Sequence, residues 1–324
     1  MTPSDPAAGD NAWRSHLELG RLLTRVERDP AFARQALAGL PPRPATAHRI
    51  GVTGSPGVGK STLLGWLIRL LRERGERVGV VAVDPTSPLS GGALLGDRLR
   101  LAPAHDDPGL FIRSLASRGS LGGVTPAASG VAAVLEAAGY ERILIETVGV
   151  GQTGYDVVSL ADTVLALFSP ESGDALQFMK AGILEIGDIF AVNKADRPGA
   201  EVLLKEITYS LSLERAAGAP GGPAAAEWTP PVLAVTASTG EGMPALLAQL
   251  DAHRAWLAGL PPEHPRRLQR IARELAFVVR SAVDGLIDGA LAEAGRRLAG
   301  QVLRGEVEFW TAAAGLQGLV RDNL

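Results

Sequence analysis

The 324-residue sequence predicts an α/β protein, a mainly parallel sheet flanked by helices, with helical segments added at both ends. Three observations carry this. From Arg49 to about Leu257, short runs rich in Val, Ile and Leu alternate with longer amphipathic stretches, the mark of β-α-β units with strands buried on both faces. From Asn11 to about Leu40, Trp13, Leu17, Leu22, Leu23 and Val26 recur at helical spacing until Pro41, Pro42 and Pro44 end the pattern. After Pro265 the chain turns wholly helical. There Leu268, Ile271, Leu275, Val278, Val279 and Leu286 form an apolar stripe, followed by a shorter set at Leu291, Leu298 and Val302. The expected boundaries are 1–45 for an N-terminal helical extension, 46–258 for the sheet domain and 259–324 for a C-terminal helical arm, whose stripe packs on the sheet or, the favoured reading, buries itself against a second copy.

Within the sheet domain the expected strands are Ile50–Thr53, Val78–Val83, Leu110–Arg113, Arg142–Ile145, Thr163–Phe168, Ile189–Val192 and Val232–Val235. The insert Ala216–Ala226 (AAGAPGGPAAA) is too rich in Gly, Pro and Ala to hold a stable element and reads as a loop before Trp228.

Composition narrows the function classes. An apolar fraction of 46% supports a substantial core, and a net charge of −3 with no Lys/Arg run offers nothing for a polyanion, so neither nucleic acid nor membrane is an expected partner. The absence of cysteine removes disulfides, thiolate metal sites and thiol nucleophiles. His16, His48, His105, His253 and His264 show no metal-ligand spacing and are read as ordinary surface or core residues. The N-terminus mixes acids with its arginines and has no apolar run of signal or membrane length, so a cytoplasmic location is expected.

The chemistry is concentrated in a few motifs. Gly54-Ser55-Pro56-Gly57-Val58-Gly59-Lys60-Ser61 matches G-x-x-x-x-G-K-[ST] in full, after a buried strand and before the amphipathic stretch that Thr62 continues. Glycines let backbone N–H groups close round phosphate oxygens at a helix N-terminus, where the dipole favours an anion. Lys60 is expected to neutralise the β- and γ-phosphates, and Ser61 to ligate Mg²⁺.

Asn193-Lys194-Ala195-Asp196 follows the strand IFAV and resembles the N-K-x-D guanine sequence of GTPases. A carboxylate at Asp196 can accept both guanine N–H donors, a pair that adenine does not offer on that edge, so the expected ligands are GTP and GDP. Thr236-Ala237-Ser238 resembles the further GTPase element whose backbone N–H meets the guanine oxygen. Residues 46–258 are therefore read as a P-loop GTPase domain that hydrolyses GTP.

Glu146-Thr147-Val148-Gly149 stands where GTPases usually carry D-x-x-G. Glu146 can still reach Mg²⁺ and Gly149 can turn its N–H toward the γ-phosphate, but Val150 replaces the water-orienting Gln. Slow hydrolysis, raised by a partner, is the expectation. Asp84, in Val-Asp-Pro-Thr-Ser at a strand end, and Asp97, in the glycine-rich run from Gly91 to Arg98, are further candidates for the metal shell.

Taken in order, GSPGVGKST, VAVDPTS, GGALLGDRLR, FIRSLASRGSLGGV, ILIETVGVGQ, GDALQFMKAGILEIGD, NKADRPGAE and WTPPV resemble one family over about Arg49 to His253. It comprises the GTPase chaperones associated with methylmalonyl-CoA mutase, long called arginine/ornithine transport kinases in bacteria. The resemblance implies a homodimer held by C-terminal helices and three nucleotide-responsive segments, here roughly Asp84–Asp97, Glu146–Tyr155 and Ser169–Lys180. It implies an adenosylcobalamin-dependent acyl-CoA mutase as partner, with cofactor loading and protection coupled to GTP hydrolysis. Asp97 and Lys180 would join Lys60 and Glu146 in catalysis, Lys180 supplying positive charge when the partner binds.

Two stretches depart from the family: Thr153-Gly154-Tyr155-Asp156, where an acidic pair is usual, and Glu171 within Pro170–Asp174, where small residues are common. Both lie where the partner should bind and leave isobutyryl- or hydroxyisobutyryl-CoA mutase open as clients beside methylmalonyl-CoA mutase. Three other readings stand beside this one: a metal-delivering GTPase, which lacks its usual thiolate or imidazole ligands here; a kinase of an amino-acid transport system; and a non-hydrolysing scaffold.

Overall fold

A computed structural model describes residues 15–44, 46–84, 107–116, 126–147, 156–171, 182–217, 228–290 and 294–322. Ser15 caps α1 (His16–Arg28) by accepting from the N–H of Glu18, a capping arrangement that opens the amphipathic run. The expected N-terminal helical run comprises two helices. Asp29 breaks it, then caps α2 (Pro30–Ala38) by accepting from the N–H groups of Ala31 and Phe32, with Pro30 at the first position, where its missing N–H costs nothing.

The sheet strands are β1 (His48–Gly54), β2 (Val78–Asp84), β3 (Leu110–Ala116), β4 (Arg142–Thr147), β5 (Thr163–Phe168), β6 (Ile189–Val192) and β7 (Val232–Ala234). All six pairings are parallel, in the order β3-β2-β4-β1-β5-β6-β7. Each of the seven expected strands is present; β3 runs three residues beyond Arg113, and β7 stops one short of Val235.

Helices cover both faces. One core joins α3 (Lys60–Glu73), through Leu63, Leu64, Leu67 and Leu71, to Ile50, Val52 and Leu165 of the sheet and to Leu246 and Leu250 of α8 (Met243–Gly259). On the other face Phe168, Phe190 and Val192 pack on Leu203 and Ile207 of α7 (Ala200–Ala217), and α1 packs on α4 (Pro126–Ala137). Two short helices, α5 (Asp156–Leu160) and α6 (Leu184–Ile186), precede β5 and β6. The first two residues of the expected loop, Ala216 and Ala217, are helical because α7 continues to Ala217, and residues 218–227 lie outside the described ones.

The strand starts are tied by a buried polar network at the end of the sheet away from the phosphate loop. Arg43 bridges Glu136 and Asp162, Arg49 donates to both Glu136 oxygens, and Thr163 Oγ1 lies 2.7 Å from His48 Nε2 and 2.6 Å from His253 Nδ1. Burial pushes both imidazoles down to about 3, so they are neutral at pH 7 and the threonine hydroxyl can link them. Burial also pushes Asp188 up to about 6 against the pull of Arg266, whereas Arg43 overcomes burial and holds Asp162 well below the usual carboxylate range. His48 and His253 are thus core residues with structural partners.

The chain continues through α9 (Pro265–Ala290), α10 (Arg296–Leu303) and α11 (Phe309–Asp322). It divides into two compact units, Met1–Arg273 and Glu274–Leu324, so the boundary falls inside α9. In the first unit Arg266 pairs with Asp188, and Arg270 with Asp162 at 3.1 Å. The α9 stripe is exposed at Leu268, Ile271, Leu275, Val278 and Val279. Among the described residues no helix is long and apolar enough to cross a membrane.

Candidate nucleotide site

The site forms where the parallel strands end and the loop after the central β1 turns into α3, the crevice at which such sheets bind ligands. Gly59 precedes α3 with φ 98°, and a Cβ there would stand 2.3 Å from Asn193 Nδ2, so only glycine fits both the turn and the neighbour. Lys60 is buried, its Nζ donating to Gly54 O at 2.7 Å and Ser55 O at 3.2 Å, which holds the ammonium over the loop. Ser55 and Val58 are buried, Pro56 and Gly57 are exposed at the tip, and Thr62 is exposed on α3.

Ser61, in the first turn of α3, donates from Oγ to Glu146 Oε1 at 2.8 Å, and Glu146 is a buried carboxylate near the end of β4. A hydroxyl and a carboxylate from segments 85 residues apart are thereby brought together beside the phosphate loop. Both are hard oxygen donors suited to Mg²⁺, which commonly takes few protein ligands and completes its shell with phosphate and water oxygens. Among the described residues no group of three or more His, Cys, Asp or Glu could hold a metal on its own.

Asn193 joins the phosphate loop to the base motifs. Its Nδ2 donates to Val58 O at 2.7 Å and its Oδ1 accepts from Ala237 N at 2.9 Å, while its own N–H donates to Phe168 O at 2.8 Å. Trp66 of α3 donates from Nε1 to Ala237 O at 2.8 Å, fastening the same turn from the other side. Lys194 follows with φ 57°, the one non-glycine residue at positive φ among those described. Such a conformation costs roughly 1–3 kcal/mol and persists where surroundings enforce it. Here Ala195 N donates to Val235 O at 3.1 Å and Arg197 N to Lys194 O at 2.9 Å. Asp196 is half exposed, with Arg197 Nε 3.6 Å away.

Of the residues expected at the site, the structure gathers Gly54–Ser61 and Glu146 in one group and Asn193, Lys194, Thr236 and Ala237 in another, linked by the Asn193 side chain. Ser238 is exposed beside Ala237, and the backbone of Asp84 ends β2. Asp97, Gly149 and Lys180 lie outside the described residues. The sequence reading gave no part to Trp66, whose tryptophan on an otherwise aliphatic helix face was the only signal, and noticed Glu171 only as a departure.

Comparison with known proteins agrees with this geometry. The family described as methylmalonyl-CoA mutase-associated GTPase MeaB matches residues 19–291. A protein of Pyrococcus horikoshii named as a GTPase is 42% identical over 275 residues, covering 85% of each chain. The mitochondrial methylmalonic aciduria type A homolog of Mus musculus is 37% identical over 199 residues, covering 60% of this chain and 46% of its own. The crystal structure of a protein titled LAO/AO transport system kinase superposes with a TM-score of 0.62 at 25% identity, covering 95% of this chain and 94% of that one. With a P-loop fold and relatives named as GTPases, the chain binds and hydrolyses GTP. It belongs to the family of methylmalonyl-CoA mutase-associated GTPases, MeaB.

Proposed function

We propose that this GTPase serves an adenosylcobalamin-dependent acyl-CoA mutase in the cytoplasm, with methylmalonyl-CoA mutase as client, and couples GTP hydrolysis to loading and protection of its cofactor. The family description and the relative named for methylmalonic aciduria support the client. The observation that carries the hydrolytic part is the 2.8 Å contact between Ser61 Oγ and Glu146 Oε1 beside the phosphate loop.

In this reading the phosphate loop takes the β- and γ-phosphates through its N–H groups and Lys60, where the α3 N-terminus favours negative charge. Ser61 and Glu146 would hold Mg²⁺, with Asp84 and Asp97 as further oxygen donors proposed for its shell. Bound there, Mg²⁺ would supply charge neutralisation to the phosphate oxygens. Gly149 turns its N–H toward the γ-phosphate. Lys180 supplies further positive charge once the partner engages, in place of the glutamine that Val150 replaces, and turnover is slow without it.

The base is read by Asp196, with Asn193 and Lys194 shaping the pocket. Thr236 N donates to Glu241 O and Ala237 N to Asn193 Oδ1. This supports the N–H of Ser238 as the donor proposed for the guanine oxygen within Thr236–Ser238.

Residues 1–45, 46–258 and 259–324 act as helical extension, GTPase domain and dimerisation arm, and the exposed α9 stripe supports a homodimer. Size-exclusion chromatography with light scattering tests both associations. The expected result is a dimer of this chain alone and a larger complex with methylmalonyl-CoA mutase. A monomer would remove the arm's role, and retention of isobutyryl- or hydroxyisobutyryl-CoA mutase instead would reassign the client.

A further inference from the structure

The segment just beyond β5 is docked on the loop that carries the guanine motif. Ser169 is buried, and Pro170 Cβ stands 3.5 Å from where a Cβ on Gly199 would be. Glu171 then reaches two cations of that loop, one with each carboxylate oxygen. Its Oε2 accepts from Lys194 Nζ at 2.6 Å, and its Oε1 is 3.6 Å from Arg197 Nε. Arg197 Nε is in turn 3.6 Å from Asp196 Oδ2. The charges alternate Lys194, Glu171, Arg197, Asp196, and the last is the carboxylate that would read the base.

Arg197 therefore lies between two acids at equal distance. A guanidinium that settled on Asp196 would occupy the same oxygens that the two guanine N–H groups need, and it would do so as a charge-assisted fork against neutral donors. An alternative carboxylate within reach of the arginine lowers that competition. The Lys194 hydrogen bond holds the Glu171 carboxyl below its ordinary range, so the acid is anionic at neutral pH.

The geometry points to Glu171 as a positioning residue for guanine recognition: it takes Lys194 on one oxygen and Arg197 on the other, and so leaves Asp196 to the base. The inference rests on reading Asn193–Asp196 as the guanine site. All four side chains are between 32% and 59% exposed, so the effect is modest and sensitive to salt.

The test is displacement of a fluorescent guanine nucleotide from the full-length protein at low and high KCl. Glu171→Gln raises the Kd for GTP and GDP about three- to fivefold at low salt. Glu171→Asp keeps more of the affinity than Glu171→Gln, and the loss shows in KM more than in kcat. Adding Arg197→Gln to Glu171→Gln restores affinity to within about twofold of the parent, because the competitor for Asp196 is gone.

Unchanged affinity in Glu171→Gln, or a double variant no better than it, overturns the inference. Asp196→Asn in the same assay separates the two levels. If it abolishes guanine preference while Glu171→Gln does nothing, only the role of Glu171 falls; if it leaves the preference intact, the guanine reading falls with it.

Discussion

Lys60→Ala lowers GTP turnover by about 100-fold or more, the largest effect expected of any single substitution. A charge-assisted hydrogen bond to a phosphate contributes roughly 1.5–3 kcal/mol, and this lysine is expected to contact two phosphate groups whose charge grows in the transition state. Its ammonium is already held over the loop by Gly54 O and Ser55 O, so little reorganisation precedes the reaction. Truncation removes the charge and leaves those carbonyls to water. Steady-state phosphate release checks the result, with circular dichroism to confirm folding. A variant that kept the parent rate would remove the loop from the mechanism.

Asp196→Asn changes base choice rather than phosphate chemistry. The amide offers one acceptor and one donor edge where the carboxylate offers two acceptors, so one guanine N–H meets a donor. A mismatched bidentate contact costs about 1–3 kcal/mol, and preference for GTP over ATP drops about 10- to 100-fold while xanthosine triphosphate, with a carbonyl at the changed position, gains. Competition among the three nucleotides measures it directly. The aspartate side chain is half exposed, and circular dichroism of the variant confirms that the fold is retained.

Much of the fold is legible in the residues because a parallel sheet covered on both faces leaves continuous apolar runs. Thr163–Phe168 and Ile189–Val192 were predicted to the residue, both being buried throughout. Boundaries drifted where polar residues are buried with partners: β1 begins at His48 and Arg49, before the expected Ile50, and β3 extends past Arg113, which pairs with Glu27 of α1. The helix break at Asp29-Pro30 left a signal, a capping acid before proline, that helical periodicity alone passed over.

At the site, local motifs were legible and the contacts between them were not. Asn193 bonds Val58 across 135 positions and Ala237 across 44, distances over which spacing carries no information. The same holds for Glu171 with Lys194, and for the Thr163 hydroxyl between two histidines that sequence spacing could not pair.

The proposal stands or falls on acceleration of this GTPase by an acyl-CoA mutase. It is tested most directly by GTP turnover of the purified protein alone and with methylmalonyl-CoA mutase, at fixed Mg²⁺ and salt. Slow basal hydrolysis that rises when the mutase is added is the expected result. A rate that no acyl-CoA mutase changes would contradict it, leaving the GTPase in place and its client unassigned.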